Sequence, residues 1–322
     1  MQLDIAADVA DALAGSVPVI ALETTVVTHG MAFPHNVETA LAMEDAIRAE
    51  RACPATLGIV NGRVVVGMSE EQIEAFGRAA RDSIVKCSRR DLPTVIAAKS
   101  NGSLTVAGTI AVADAAAIRI FATGGIGGVH RGHPHDVSAD IYQLARTSVA
   151  GICAGAKSIL DLPLTLEVLD SQGVTVLGLG TSNLPAFFTR DSGLPLPYSV
   201  ETVDEAADVL RAWRELDADS GLLVTVPVPR ESALDPAEAE HAIAQAVRDA
   251  DEYGISGNRL TPYILQRVVE LTNGRSLAAN KALLLNNAKT AALLAWKAGL
   301  GRTDPGLEAR PPQATSARRR PT

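Results

Sequence analysis

The sequence predicts an α/β protein whose largely parallel sheet is covered by helices on both sides. Short runs that are apolar at nearly every position recur along the 322-residue chain, as expected of strands buried on both faces. Helical patterns alternate with these runs, which is typical of parallel strands joined by crossover helices. An Asn-Gly pair at 61–62 predicts one hairpin, so we expect a mixed sheet.

The predicted elements follow one another from the N-terminus to about residue 226. The strands are expected at 17–22, 55–60, 93–98, 117–122, 149–153, 173–179 and 221–226. The helical patterns between them include 37–50, 69–80, 103–116, 137–147 and 203–216.

The last third of the chain is predicted to be helical. Asp235-Pro236 and Thr261-Pro262 each predict an N-cap followed by an N1 proline, and Gly274 suits the residue after the second of these helices. A long helix then follows, and its inward stripe is Leu277, Leu284, Ala288, Ala291 and Ala295. Asn280 and Asn287 lie on the same stripe, so each is either bonded to backbone or directed at a ligand.

Composition excludes several classes of function. A net charge of −8 and a pI near 5.3 argue against a nucleic-acid-binding face, which needs clustered Lys and Arg. The three cysteines have no paired or metal-type spacing, which indicates reduced core residues of a cytoplasmic protein. No basic leader and no apolar run long enough to span a bilayer is present, so we expect neither export nor membrane contact.

The domain organisation is predicted to be simple. Residues 1–302 contain no linker or shift in composition and are expected to form a single α/β catalytic domain. Residues 303–322 are rich in arginine and proline, and we expect a basic, disordered tail there.

Residues 123–145 hold the densest group of candidate functional residues. The spacing of the first glycines, G-G-x-G-G, is a poor match to a dinucleotide-binding fingerprint. Asp136 and Asp140 stand four apart at the start of a predicted helix, so both carboxylates would share one face. They could cap the helix, hold a divalent ion, or divide into a metal ligand and a proton carrier. The histidines at 130, 133 and 135 offer a zinc site as an alternative, although their spacing matches no established ligand pattern.

Three further candidates lie outside that stretch. Glu23 ends a predicted strand, which is where α/β sheets usually hold catalytic groups, although an exposed loop acid is an equal reading. Lys86 lies close to Arg89 and Arg90, a group that is either a solvated surface or a phosphate site. Lys157 follows the buried strand 149–153; it is either the first solvated residue of a loop or an amine made nucleophilic by burial.

Six motifs taken together resemble the pseudouridine-5′-phosphate glycosidase family. They are ALETTVVTHGM, KCSRRDLP, GGIGGVHRG, DVSAD, AGAKSILD and SLAANKALLLNNA, which span roughly residues 17–297 in the family's order. The resemblance implies an enzyme that reversibly splits pseudouridine 5′-phosphate into uracil and ribose 5-phosphate. It also implies a three-layer α/β/α fold, a homotrimer and one divalent ion per subunit, typically Mn²⁺, with Mg²⁺ or another divalent ion possible.

The resemblance also implies a role for individual residues. Lys157 matches the lysine that forms an imine with ribose C1′, and Glu23 matches the general acid/base near the uracil. Asp140 matches a proton-transfer candidate beside the sugar, and Asp136 the metal ligand. Asn280 matches a residue that positions or activates groups at the imine. The residues that match the pocket for phosphate and sugar are Lys86, Thr105, His130 and Ser138.

The chemistry accounts for these residue types. A C–C glycosidic bond has no leaving oxygen or nitrogen to protonate, so a carboxylate pair of the usual glycosidase kind is poorly suited to it. A lysine bonded to C1′ of the opened ribose avoids this difficulty, because protonation of uracil at C5 then allows the C–C bond to break as the lysine imine forms at C1′.

The sequence departs from the family in a few places and leaves alternatives open. Thr24 stands where serine is usual, Lys281 stands where an apolar residue is common, and the loop 130–136 is short. The alternatives are an enzyme acting on another phosphorylated C- or N-nucleoside, a non-catalytic sugar-phosphate-binding protein, and a histidine-metal hydrolase. A binding protein has no need of an imine-forming amine, which argues against the second of these.

Overall fold

The computed structural model describes residues 1–80, 83–216, 218–255 and 257–301. The basic tail predicted for 303–322 therefore lies outside the described residues, and the division of the chain at residue 302 stays a prediction. Within the described ranges, no helix combines the length and apolarity needed to cross a bilayer.

Strands and helices alternate along most of the chain, as the sequence predicts. The strands are β1 (Leu3–Ile5), β2 (Val19–Glu23), β3 (Cys53–Val60), β4 (Arg63–Val66), β5 (Val85–Cys87), β6 (Gly102–Leu104), β7 (Ile120–Ala122), β8 (Val129–His130), β9 (His133–Val137), β10 (Ala150–Cys153), β11 (Leu160–Asp161), β12 (Thr175–Leu179), β13 (Tyr198–Val200) and β14 (Leu222–Thr225). The helices are α1 (Ala7–Ala14), α2 (His35–Ala49), α3 (Glu70–Arg78), α4 (Leu92–Ala97), α5 (Val106–Ala115), α6 (Ala139–Leu144), α7 (Leu162–Ser171), α8 (Val203–Glu215), α9 (Pro236–Glu252), α10 (Leu260–Leu271) and α11 (Arg275–Lys297).

Eleven of the strands form one mixed, mostly parallel sheet, which confirms the predicted fold class. Its main path runs β1-β4-β3-β2-β7-β10-β14-β12-β13, and β6 pairs with β3 and β5. The antiparallel pairs are β3 with β4 and β3 with β6. Asn61 and Gly62 join β3 to β4 with positive φ angles of 50° and 77°, the conformation that an Asn-Gly hairpin turn requires.

Helices cover the sheet on both sides. On one side α11 packs against β2, β7 and β10 and contacts α2 and α8. On the other, α5 packs against β2, β3 and β7 and contacts α6. The three-layer α/β/α architecture is therefore as predicted, and the central strands are buried on both faces, as their apolar composition requires.

In the first half of the chain one predicted strand was wrong, and two predicted helices begin later than expected. Residues 93–98 form most of helix α4 and no strand, because Pro93 suits a first helical turn and a short apolar run does not distinguish the two structures. The helix predicted over 103–116 begins only after Thr105, its N-cap, since 102–104 form β6. The helix predicted from residue 137 begins at Ala139, because 133–137 form strand β9.

Helix boundaries in the last third agree with the sequence in part. Asp235 caps α9 by accepting hydrogen bonds from the backbone N–H groups of Ala237 and Glu238. Thr261 does not cap α10, which already begins at Leu260. Pro262 is tolerated inside the first turn because the first four N–H groups of a helix have no intrahelical partner.

The three cysteines are free, and Cys87 and Cys153 are buried. Burial raises the pKa of each buried thiol to about 12, so both thiols stay protonated. These two cysteines are therefore inert core residues, as the sequence predicts.

Candidate active site

A cavity of about 370 Å³ opens at the carboxyl edge of the central strands. Its lining includes all nine residues to which the family resemblance assigned a role, although they come from distant parts of the chain. These residues are Glu23, Lys86, Thr105, His130, Asp136, Ser138, Asp140, Lys157 and Asn280.

Strand topology explains why these residues meet. Glu23 is the last residue of β2, Thr123 directly follows β7, and Lys157 lies just beyond β10. These three strands are neighbours and run parallel, so their carboxyl ends reach the same edge of the sheet. Open parallel sheets bind ligands at this edge.

The carboxyl group of Glu23 is bonded to the hydroxyl of a threonine on the neighbouring strand end. The hydroxyl of Thr123 donates a short hydrogen bond to Oε1 of Glu23. Burial raises the pKa of Glu23, and the nearby positive charge of Lys157 and the Thr123 hydrogen bond oppose that rise without cancelling it. Glu23 therefore retains a proton to higher pH than a glutamate in water, as a general acid requires.

The side chain of Lys157 is fixed by a backbone carbonyl. Its Nζ donates to the carbonyl oxygen of Gly125 at 2.5 Å, and its own backbone N–H donates to the carbonyl of Ile126 at 3.1 Å. A Cβ on Gly125 would lie 2.7 Å from the ring of Phe187, so the backbone can approach that ring this closely only because residue 125 is glycine. The amine of Lys157 is thus bonded to a backbone segment that the Phe187 ring leaves little room to move.

Asp140 is buried and has both carboxylate oxygens bonded to backbone. Oδ1 accepts from the N–H of Ala107 at 2.9 Å, and Oδ2 accepts from the N–H of Gly127 at 2.8 Å. Ser138 caps α6 by accepting the N–H of Asp140. Gly127 cannot carry a side chain, because a Cβ there would lie 2.4 Å from the Ser138 hydroxyl oxygen.

Basic groups share the cavity with these acids. The pKa of Lys86 is lowered, first by burial and then by the positive charge of Lys157. Burial likewise lowers the pKa of His130, against the opposing effect of the Asp136 carboxylate. Both residues therefore lose a proton at lower pH than the same side chains would in water.

The residues around Asp136 fit a divalent ion that keeps most of its water. Within the described part of the chain, no group of three or more His, Cys, Asp or Glu side chains is arranged to hold a metal ion. Asp136 alone offers a carboxylate that is 60% exposed and lies on the cavity lining. One carboxylate together with water and phosphate oxygens is a donor set that Mg²⁺ or Mn²⁺ accepts, whereas structural zinc takes four protein ligands.

The structure corrects the expected relation between the two aspartates. Asp136 lies in strand β9 and Asp140 in the first turn of α6, so they do not share a helix face. They nevertheless line the same cavity. The prediction that both carboxylates lie close together was correct, but the predicted cause, a shared helix face, was wrong because the helix does not extend back through β9.

Several neighbours of the predicted residues lie elsewhere. Arg89 turns away from the cavity and donates to Gln143 at 3.1 Å, whereas Arg90 lines the cavity with its side chain 82% exposed. His133 and His135 are exposed on β9 and do not line the cavity. This arrangement does not support the histidine-metal alternative.

Sequence reasoning missed several polar residues of the cavity, among them a threonine and a histidine. Thr123 and His29 both line it, and Thr123 is the residue that bonds Glu23. His29 lies within the ALETTVVTHGM motif and Thr123 immediately precedes the glycine pair, so their positions beside predicted site residues were the available signal.

The two asparagines of α11 have different surroundings. Asn280 is half-buried and lines the cavity. Asn287 is fully buried, and its Nδ2 donates to the carbonyl of Thr123 at 2.9 Å. The sequence left open whether Asn287 is bonded to backbone or directed at a ligand, and the structure shows that it is bonded to backbone.

Fold and cavity together define an α/β enzyme that brings a lysine and three acids together in one cavity at the carboxyl edge of its parallel strands. Residues 8–297 match the family of indigoidine synthase A-like proteins. The chain belongs to this family, and its resemblance to the pseudouridine-5′-phosphate glycosidases is confirmed by curated relatives of that name.

Two of these relatives match nearly the whole chain. The pseudouridine-5′-phosphate glycosidase of Clostridium botulinum is 48% identical over 295 residues, covering 91% of this chain and 96% of the relative. That of Solibacter usitatus is also 48% identical, over 297 residues, covering 92% and 99%.

Two solved structures share the fold. The prealnumycin C-glycosynthase AlnA in complex with ribulose 5-phosphate superimposes with a TM-score of 0.84 at 37% identity, covering 94% of this chain and 97% of AlnA. An indigoidine synthase A-like protein from Thermotoga maritima gives a TM-score of 0.81 at 34% identity, covering 89% and 94%.

Proposed function

We propose that the protein is a pseudouridine-5′-phosphate glycosidase that cleaves the C–C glycosidic bond through an imine on Lys157. The single observation that carries the proposal is the arrangement of Lys157 and Glu23, which are both bonded to the segment 123–125 in one cavity. The names of relatives 48% identical over most of the chain support the same reaction.

The proposed cleavage divides the work between these two residues. The amine of Lys157 attacks C1′ as the C1′–O4′ bond breaks, so the ring opens, O4′ takes the proton that the amine loses, and C1′ is bonded to the lysine nitrogen and to C5 of uracil. Glu23 gives its proton to C5 of uracil, the C1′–C5 bond breaks with its electrons restoring the double bond of the uracil ring, and the nitrogen lone pair forms the imine at C1′. Water then hydrolyses the imine and releases ribose 5-phosphate, which restores the amine.

The remaining residues act on the sugar and its phosphate. Lys86 and His130 supply positive charge or donors for the phosphate, and the hydroxyls of Thr105 and Ser138 supply polar contacts. Asp140, held by two backbone N–H groups, is positioned to take a proton from the opened sugar.

A divalent ion, Mn²⁺ or Mg²⁺, completes the proposal. Asp136 would hold it, and the ion would supply positive charge beside the anionic substrate. We expect exhaustive chelation to lower activity and added Mn²⁺ to restore it, whereas Asp136→Asn should raise the concentration of Mn²⁺ needed for half-maximal activity. A chelated enzyme that keeps full activity would contradict the metal role.

Trapping of the imine tests the central step. The protein is incubated with ribose 5-phosphate and borohydride, and the intact mass is measured. We expect a stable adduct of the reduced sugar phosphate that maps to Lys157 and is absent from Lys157→Ala. The control is Lys289→Ala, which removes an exposed lysine of α11 and should leave the adduct intact. No adduct in the wild type with Mn²⁺ present, or an adduct that persists in Lys157→Ala, would overturn the imine mechanism.

A second candidate substrate is another phosphorylated C- or N-nucleoside. Structural similarity to a C-glycosynthase solved with ribulose 5-phosphate favours this class, because a sugar-phosphate site can serve different bases. Comparison of kcat/KM for pseudouridine 5′-phosphate and uridine 5′-phosphate separates the two candidates.

Assembly and location complete the proposal. We propose a homotrimer in the cytoplasm, supported by the family resemblance and by cysteines that are all free. Light scattering measures the mass of the assembly, and fractionation of the source cells tests the location.

A further inference from the structure

Asn287 combines a hydrogen bond to the active-site edge with a polar atom that has no partner. Its side chain is fully buried within an inward face of α11 that is otherwise mostly Leu and Ala. Oδ1 has no hydrogen-bond donor among the described residues. A buried acceptor without a donor costs free energy, and an apolar residue of similar size would avoid that cost. Packing alone therefore does not explain an asparagine at this position.

The amide nitrogen of Asn287 suggests a reason for an asparagine at this position. Nδ2 donates to the carbonyl oxygen of Thr123 at 2.9 Å and lies 3.5 Å from that of Gly124. The segment 123–125 directly follows β7, and the N–H of Thr123 and the carbonyl of Gly124 are bonded to the backbone of residues 152–154. Two of its three residues are glycines, which have no side chains for α11 to hold. Asn287 therefore adds a hydrogen bond to this backbone segment from the helix that packs over it.

The segment 123–125 is bonded to the side chains of Glu23 and Lys157, the two central residues of the proposed reaction. The Thr123 hydroxyl donates to Glu23, and the carbonyl of Gly125 accepts from Nζ of Lys157. A Cβ on Gly124 would lie 3.2 Å from side-chain atoms of Leu283 and Leu284, so α11 already sits directly against the segment. A shift of this segment would move the acid and the amine together.

We propose that Asn287 is a positioning residue, which fixes the segment 123–125 and through it the carboxyl group of Glu23 and the amine of Lys157. This inference rests on the proposed roles of those two residues. Asn287 does not line the cavity, so its effect is indirect and its substitution should change kcat much more than KM.

The test uses Asn287→Leu, which keeps the side-chain volume and removes the donor. Misplacement of reacting groups by about 1 Å can cost on the order of 100-fold in rate, so we expect kcat to fall by about 10- to 100-fold while KM changes little. The matched control is Asn286→Leu, the preceding residue of α11, which is half-buried, does not line the cavity and should keep wild-type kcat.

A pH profile separates positioning from general destabilisation. The Thr123 hydrogen bond lowers the pKa of Glu23, so its weakening should raise that pKa further. The alkaline limb of kcat for cleavage should then move to higher pH in Asn287→Leu and in Thr123→Val. If Asn287 acts through Thr123, the double variant should lose less activity than the product of the two single losses.

Two outcomes would overturn the inference. One is an Asn287→Leu enzyme that keeps the wild-type kcat and pH profile. The other is a double variant whose loss of kcat equals the product of the losses in the two single variants. If the leucine variant does not fold, Asn287→Ala serves instead, since alanine is common on this helix, and it should show the same shift of the alkaline limb. The proposed function fails separately, when Lys157→Ala retains activity or Glu23→Gln is fully active. An adduct on Lys157 together with a normal Asn287→Leu enzyme would reject the positioning role alone.

Discussion

Glu23 shows how burial turns a carboxyl group into a weaker acid than it is in water. Burial raises its pKa, while Lys157, Thr123 and Lys86 act against the rise. Folding therefore favours the protonated form. The contribution of Glu23 to stability is fully present below its unfolded pKa and is lost as pH rises through its higher folded pKa.

Replacement of Glu23 by an uncharged residue should consequently stabilise the protein at neutral and alkaline pH while lowering its activity. We expect Glu23→Gln to lower kcat by about 100- to 10,000-fold, the usual contribution of a general acid. Its Tm should exceed that of the wild type at about pH 8, and the difference should shrink toward about pH 4, where both side chains are neutral. Calorimetry across this range checks the trend, and Glu167→Gln, at an exposed position of α7, should keep wild-type kcat. A difference in Tm that is independent of pH would contradict the account.

Residue types and motifs predicted which side chains share the cavity but not how they are bonded. Lys157 and Glu23 were recognisable because each follows an apolar strand. The hydroxyl of Thr123 and the carbonyl of Gly125, which hold them, could not be predicted, since a hydrogen bond between residues 100 positions apart depends on the register of neighbouring strands.

At the scale of single elements, short segments were the hardest to predict. A six-residue apolar run such as 93–98 fits a strand or a buried helix equally well. Strand β9 was missed because its residues are exposed and polar, and it is formed by pairing with β8 and not by its own pattern. Long periodic segments such as α2 and α8 were predicted to within a few residues.

The close packing of Gly127, in the turn before β8, leads to a testable prediction. In Gly127→Ala, the new Cβ would displace the Ser138 hydroxyl and would lie 2.9 Å from Oδ2 of Asp140. We expect kcat to fall by about 100-fold because Asp140 is moved. Gly173→Ala is the control: its φ of +72° should cost about 1 to 2 kcal/mol of stability, but nothing lies within 4 Å and kcat should be unchanged. Equal losses of kcat in the two variants would refute the steric argument.

At the scale of the whole molecule, the C-terminal helix belongs to the same core as the sheet. Buried residues of α11 join one hydrophobic cluster with residues of the central strands. They include Ala279, Leu283, Leu284, Ala288, Ala291, Leu294 and Ala295.

Two truncations test this organisation. A chain ending at residue 302 should keep the Tm and kcat of the full protein, as the predicted domain boundary requires. A chain ending at residue 274 lacks α11 and should not fold, because the strands lose the cover on one face. Circular dichroism and size-exclusion chromatography distinguish the outcomes, and a folded product of the shorter chain would contradict a shared core.

The hydrogen bond from Lys157 to Gly125 also bears on the cost of changing chemical state. The carbonyl accepts an N–H of the lysine nitrogen before the reaction, and a protonated imine at the same nitrogen still carries one N–H. On the proposed pathway, the nitrogen therefore keeps its partner while it gains a carbon substituent. The protein has little to rearrange between the free enzyme and the imine, and the oriented carbonyl dipole stabilises the cationic imine that cleavage of the C–C bond produces.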